Sequence, residues 1–169
     1  MKKGAKLIVG ILARNQGFLE NSLLLLEESL GKIQLKTPVI PWNFSTYYQE
    51  ELGPDIIRSW VAFLGIFPPD RLKDFKKKTI ALEEQLKAKE GKRPVNLDPG
   101  ILTLHNLVLA TTKDYSHRVY LGDDIYAEVT LIYHQGRFQP LPWTYPDYRI
   151  PECINFLTAC RAALLSALR

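Results

Sequence analysis

The stretch that most constrains this chain is KLIVGILA, residues 6–13. As a strand it places Leu7, Val9 and Ile11 on one side and Ile8 and Leu12 on the other, because successive side chains point to opposite faces. A strand that is apolar on both faces needs cover on both, so it reads as a central strand rather than an edge. A basic start before an apolar run also raises the possibility of a secretory leader. Arg14 and Asn15 end the run abruptly, and no small-residue cleavage site follows. The buried first strand is the better reading.

The segments that follow supply neighbours for it. FLENSLLLLEESLG (18–31) has helical periodicity and stops at Gly31, and KIQLKTPVIPW (32–42) reads as a strand ended by prolines. STYYQEELG (45–53) is a short helix capped by Ser45 or Thr46 and closed by Gly53. IIRSWVAFLGIF (56–67) is β-branched and aromatic, hence a strand. A charged helix is expected over 70–91, with Leu72, Phe75, Ile80, Leu82 and Leu86 as a rough packing stripe and its lysines solvated.

The second half is strand-rich. RPVNLDPG (93–100) is extended and then turns at Asp98-Pro99-Gly100, and LTLHNLVLAT (102–111) reads as a helix merging into a short strand. HRVYL and DIYAEVTLIY form a hairpin joined by GDD. LPWTYPDY (141–148) suits a lid across the sheet with Trp143 packed beneath. PECINFLTACRAALLSALR (151–169) is a helix apolar almost all round, either deeply packed or part of a homodimer interface. Residues 1–169 therefore form a single α+β domain. The expected architecture is a mixed or antiparallel sheet covered by helices, ferredoxin-like with extra strands, and the alternative is a doubly wound α/β fold.

Composition narrows the function classes. The net charge of +4 lies largely in KKGAK at the start and KDFKKK at 73–78, which a solvated terminus and a helix face explain without nucleic acid. No apolar run approaches the roughly 18 residues of a membrane span. Cys153 and Cys160 are seven apart in an expected helix. That separates them by about 10.5 Å along the axis, beyond the roughly 7 Å between Cα atoms that a disulfide bridges. Two buried thiols point to a reducing cytoplasm.

The chemistry-bearing residues cluster around TTKDYSHRVYL (111–121). Arg118 offers a planar fork, Lys113 a mobile point charge and His117 a proton near neutral pH, with Thr112 and Ser116 as hydroxyl donors. Strict alternation along the next strand puts Ile125, Ala127, Val129, Leu131 and Tyr133 on one face and Tyr126, Glu128, Thr130, Ile132 and His134 on the other. A carboxylate in mid-strand needs a counter-charge, and His117 and Arg118 begin the hairpin partner. If the Asp98 turn faces this loop, Asp98 and Glu128 are weak Mg²⁺ candidates, the only cofactor suggested, with Arg93 and Asn96 on the rim. Tyr48 and Glu51 come from the short helix. No phosphate loop, CxxC, HExxH or nucleophile elbow occurs. His105, His117 and His134 lack zinc-ligand spacing.

These readings lead to three functional expectations. The first is a cleft binding a small anionic ligand, such as a nucleotide or phosphorylated metabolite. The second is a phosphoester hydrolase or phosphoryl-transfer enzyme with His117 as the catalytic candidate. The third is an interaction module whose polar cluster only ties hairpin to loop.

Taken together, FSTYYQEELG, RPVNLDPG, LVLATTKDYSHRVYL, IYAEVTLIY and LPWTYPDY resemble an uncharacterised prokaryotic family, a domain of unknown function of about this length. Some of its members are labelled GTP-binding proteins. The resemblance implies a shared surface of Thr46, Tyr48, Glu51, Asn96, Asp98, Gly100, Lys113, His117, Arg118, Tyr126, Glu128 and Trp143. Leu64-Gly65 departs from it, standing where a phenylalanine–glutamate pair is expected.

Overall fold

A computed structural model of the protein describes residues 3–87 and 91–169. The strands are β1 (Lys6–Ala13), β2 (Ile33–Lys36), β3 (Ile40–Pro41), β4 (Ile57–Phe63), β5 (Val95–Leu102), β6 (Asn106–Thr111), β7 (Val119–Gly122), β8 (Ile125–His134) and β9 (Arg137–Pro140). The helices are α1 (Gln16–Leu30), α2 (Gln49–Leu52), α3 (Leu72–Gln85) and α4 (Pro151–Leu168). Residues 88–90, near the end of the expected charged helix, lie outside the described residues.

Among the described residues the strands form one sheet in the order β2-β4-β1-β5-β6-β8-β7, with β3 on β4 and β9 on β8. Every strand pairing is antiparallel. Strands β1, β2, β4 and β5 with helices α1 and α3 make two interleaved strand–helix–strand units, β1-α1-β2 and β4-α3-β5. β1 and β2 flank β4, while β4 and β5 flank β1. That is the split βαβ arrangement of a ferredoxin-like core, and β6–β9 extend its sheet. The fold is therefore α+β, and the doubly wound alternative is set aside.

The two-faced β1 explains the layers. Leu7, Val9 and Ile11 meet Leu19, Leu26 and Leu30 of α1 and Leu72, Phe75 and Leu82 of α3. On the other face Ile8, Trp60 and Ala62 meet Cys153, Phe156, Leu157 and Cys160 of α4. Asn15 starts α1 by accepting a hydrogen bond from the Phe18 N–H at 3.0 Å. No large apolar side chain of α4 is exposed. Ile154 and Leu157 pack into the core beneath the sheet, and Leu164 and Leu168 are buried as well. No helix among the described residues is long and apolar enough to cross a membrane.

Several local expectations need correction. Asp98-Pro99-Gly100 is not a turn but the middle of β5, with Pro99 opposite Val9. The turn falls later, at Thr103–His105, where the Thr103 hydroxyl accepts from the His105 and Asn106 N–H groups at 3.1 Å each. LTLHNLVLAT therefore ends one strand and forms the next, with no helix. Proline is tolerated because β5 pairs with β6 only through Gly100–Leu102. From Pro99 back to Val95 that side of the strand is an edge, where a missing N–H breaks no ladder.

The alternation in β8 also breaks. Leu107 pairs with Leu131, but Val108 pairs with Val129, so Thr130 is an extra residue. Such a bulge resets which side chains face which way. Ile125 and Ala127 face the α1/α3 core, while Leu131 and Tyr133 join the α4 core. Trp143 is 38% exposed and lies over no core; Thr144, Asp147 and Tyr148 are the buried residues of that segment.

Candidate functional site

β6 keeps its pairing with β8 as far as Thr111↔Tyr126, whereas its pairing with β5 stops at Gly100↔Leu109. The sheet is therefore open between Val95–Pro99 on one side and Ala110 onward on the other. A cleft of about 180 Å³ occupies this opening. Its floor carries Asn96 and Asp98 of β5, Thr111 of β6 and Glu128 of β8. Tyr47, Tyr48 and Glu51 border it on the α2 side, and Tyr145, Asp147 and Tyr148 on the other. Leu12, opposite Asn96 and Arg58, adds an apolar wall.

The polar side chains form a chain of charge pairs. Arg93 reaches Glu51 through two bonds of 2.6 and 3.0 Å and also bonds Glu83. The Arg93 hydrogen bond holds Glu51 below the usual carboxylate range. Burial pushes Glu83 upward, against the pull of Lys76 and Arg93. Lys76, itself buried, donates to the Leu97 carbonyl at 3.3 Å and to Asp98 at 3.4 Å. The other oxygen of Asp98 accepts from Asn96 at 2.7 Å.

Glu128, 2% exposed, accepts from Arg118 Nε and contacts His117 Nε2, both at 2.9 Å, while Thr130 donates to its second oxygen. Arg118 also donates to the Lys113 carbonyl and the Tyr145 hydroxyl, each at 2.9 Å. Its guanidinium thus ties the loop to the far rim. The His117 ring stacks on Trp143, with centroids 4.6 Å apart and planes 16° apart. At the inner wall Arg58 Nη2 lies 2.6 Å from Asp147, which also accepts from the Trp42 indole at 3.2 Å. Burial opposes the Arg58 cation, but Asp147 and its neighbours outweigh that and hold the pKa above the ordinary value.

The sequence-derived residues fall into three places. Lys113, Asp98, Asn96, Arg93, Glu128, Tyr48 and Glu51 line the cleft together. His117 and Arg118 do not line it but hold Glu128 from behind. Tyr126 is elsewhere, tilted against Tyr120 at 5.2 Å. The Mg²⁺ candidates fare differently from expectation: Asp98 is engaged by Lys76 and Asn96, and Glu128 by His117, Arg118 and Thr130. No group of three or more possible metal ligands converges among the described residues. Leu64-Gly65 follows the end of β4 remote from Arg58 and lines no part of the cleft.

Sequence reasoning missed Arg58, Trp60, Lys76, Glu83, Asp147 and Tyr148. Part of the signal was there. Lys76 and Glu83 fall on the same helical stripe as Leu72, Phe75, Thr79 and Leu82, so they could not belong to a solvated face. Arg58 shares a strand face with Trp60 and Ala62 and needs a counter-charge. Nothing local pointed to Asp147 as that partner.

The family described as domain of unknown function DUF4416 matches residues 3–163, and the chain belongs to it. No curated protein and no solved structure matches the chain.

Proposed function

We propose that this DUF4416 member binds a small anionic ligand, a phosphorylated or carboxylated metabolite, in the cleft between β5 and β6. Lys113 carries this reading. The other cations lining the cleft, Arg58, Lys76 and Arg93, each face a carboxylate, as does Arg118 behind it. Lys113 makes no direct ion pair among the described residues, and the carboxylate that feels its charge, Glu51, is already bonded twice by Arg93. Its ammonium meets the Tyr47 hydroxyl and lies 3.9 Å from that ring's centroid. A lysine held over a ring at the mouth of a polar cleft, beside the Thr111 and Thr112 hydroxyls, is a ready partner for an incoming anion.

Size refines the ligand class. About 180 Å³ falls below the roughly 300–1,000 Å³ of clefts that enclose drug-sized ligands. A small metabolite fits better than a nucleotide, whose base would remain outside against Tyr47. Support for a hydrolase is weaker. His117 meets the carboxylate–imidazole criterion for an acid–base pair, but it stacks on Trp143 and does not line the cleft.

A thermal-shift screen of phosphorylated and carboxylated metabolites tests the reading. A ligand at 100 Kd stabilises the protein by about 2.7 kcal/mol, and Lys113→Ala should weaken binding about tenfold, the loss of one charge-assisted bond. Absence of a shift with every anion would count against it. Consumption of the bound compound, lost in His117→Ala with binding intact, would favour the enzyme.

A further inference from the structure

The charges on the floor of the cleft are already paired. Arg93 is bonded to Glu51, Lys76 lies 3.4 Å from Asp98, and Arg58 lies 2.6 Å from Asp147. A second ionic group on a ligand would have to break one of these pairs, and a half-broken pair away from water is strongly unfavourable. The part of the ligand that reaches the floor is therefore uncharged. It is not apolar either, because the floor presents unspent hydrogen-bonding capacity.

That capacity gathers around Asp98. Its side chain is 27% exposed, and its two oxygens accept from Lys76 and from Asn96. A carboxylate has about four lone-pair sites, so roughly two remain. Two phenols lie within reach of its charge. The Tyr48 hydroxyl makes no hydrogen bond among the described residues and is not shut off from solvent. The Tyr145 hydroxyl accepts from Arg118 at 2.9 Å, which leaves its own proton free to donate. Burial raises the pKa of both phenols and the Asp98 charge adds to it, so both are protonated donors at neutral pH. Asp98, Tyr48 and Tyr145 all line the open cleft.

We propose that the cleft binds the phosphate monoester of a sugar or small polyol, its hydroxyl groups inward on Asp98, Tyr48 and Tyr145 and its phosphate outward at Lys113. This rests on the anion-binding reading of the cleft and names the neutral part of the ligand. A hydroxyl both donates and accepts, so one group can donate to Asp98 while it accepts from a phenol. An alkyl chain does neither. An ammonium only donates, and it would sit beside Lys76. The rings of Tyr47 and Tyr48, edge to face with centroids 4.9 Å apart, add apolar surface for the carbon chain.

Calorimetric titration of the full-length protein with glycerol phosphate and with propyl phosphate tests this, since the two share a carbon chain and differ only in hydroxyls. Glycerol phosphate should bind about tenfold more tightly, the return on neutral hydrogen bonds to the floor. Tyr48→Phe removes a hydroxyl that bonds nothing else in the described protein, so the variant should fold normally. It should weaken glycerol phosphate roughly fivefold and leave propyl phosphate unchanged. Lys113→Ala should weaken both esters by the same factor, because it acts on the phosphate alone. Equal affinity of the wild type for the two esters, or an undiminished glycerol phosphate affinity in Tyr48→Phe, would overturn the hydroxyl floor and spare the anion reading. Phosphoethanolamine binding more tightly than glycerol phosphate would overturn it too, by showing that the floor takes an ammonium. If neither ester nor inorganic phosphate binds, the anion reading fails and the floor with it.

Discussion

Glu128 holds the polar cluster together at the residue scale. A carboxylate at 2% exposure is tenable only because Arg118, His117 and Thr130 all bond to it. Glu128→Gln keeps the shape but loses the charge that Arg118 needs, so it should cost about 1–3 kcal/mol in urea denaturation, with no ligand required to see it. This half of the site was legible in the sequence because its members are hairpin neighbours, and strand alternation alone puts Glu128 beside Arg118. Arg58–Asp147 was not, because only the tertiary fold brings those segments together. Arg93 gives a pH prediction. Its hydrogen bond lowers the folded pKa of Glu51, a contribution to stability present above the unfolded value of about 4.5 and lost as pH falls through the folded one. Glu83 is raised by burial and works in the opposite sense, destabilising while ionised. Removing Arg93 raises both, so Arg93→Gln should be less stable than wild type at neutral pH. The gap should close as both carboxylates protonate below about pH 4.5; a gap that persists at low pH would show that Arg93 acts through packing instead.

The β5–β6 hairpin is the element that makes the cleft, because it is paired at its turn and open at its far end. Gly100 stands at the last paired position. A Cβ there would lie 2.6 Å from Leu109 Cδ2, 3.1 Å from the Val108 carbonyl and 3.2 Å from Leu107 Cδ1. Leu109 can rotate, but the backbone carbonyl cannot, so Gly100→Ala should destabilise by about 1–3 kcal/mol. Thermal or chemical denaturation would check this, and an unchanged midpoint would mean that β6 yields freely. Asp98-Pro99-Gly100 misled the sequence reading because the same three residues suit a turn and a strand losing its neighbour. What distinguishes them is the tertiary fact that β1 pairs with β5 through all eight of its residues. The charged helix expected over 70–91 is present at Leu72–Gln85, and its buried face was misjudged, since a lysine run hides the burial of Lys76.

For the whole molecule, the fold followed from a two-faced first strand and a repeated strand–helix–strand rhythm, and both core faces are filled as that strand demands. The sequence could not show where the sheet would open, because strand splay depends on pairing that no local pattern records. The α4 layer yields a test of the packing. Cys153 and Cys160 are both free and fully buried, and burial pushes the Cys160 thiol up to about 12 and Cys153 higher still. Neither should react with a thiol reagent at pH 8 in the folded protein, and both should react once urea unfolds it. Fast labelling of the native protein would mean that α4 detaches readily. The central claim, that the opening in the sheet receives an anion, is tested most directly by following backbone amide resonances of the wild-type protein through a titration with inorganic phosphate. The account predicts saturable shifts confined to residues 96–98 and 110–113, needing about tenfold more phosphate in Lys113→Ala. Shifts spread over Lys73, Lys77 and Lys78 of α3, or none at the cleft, would contradict it.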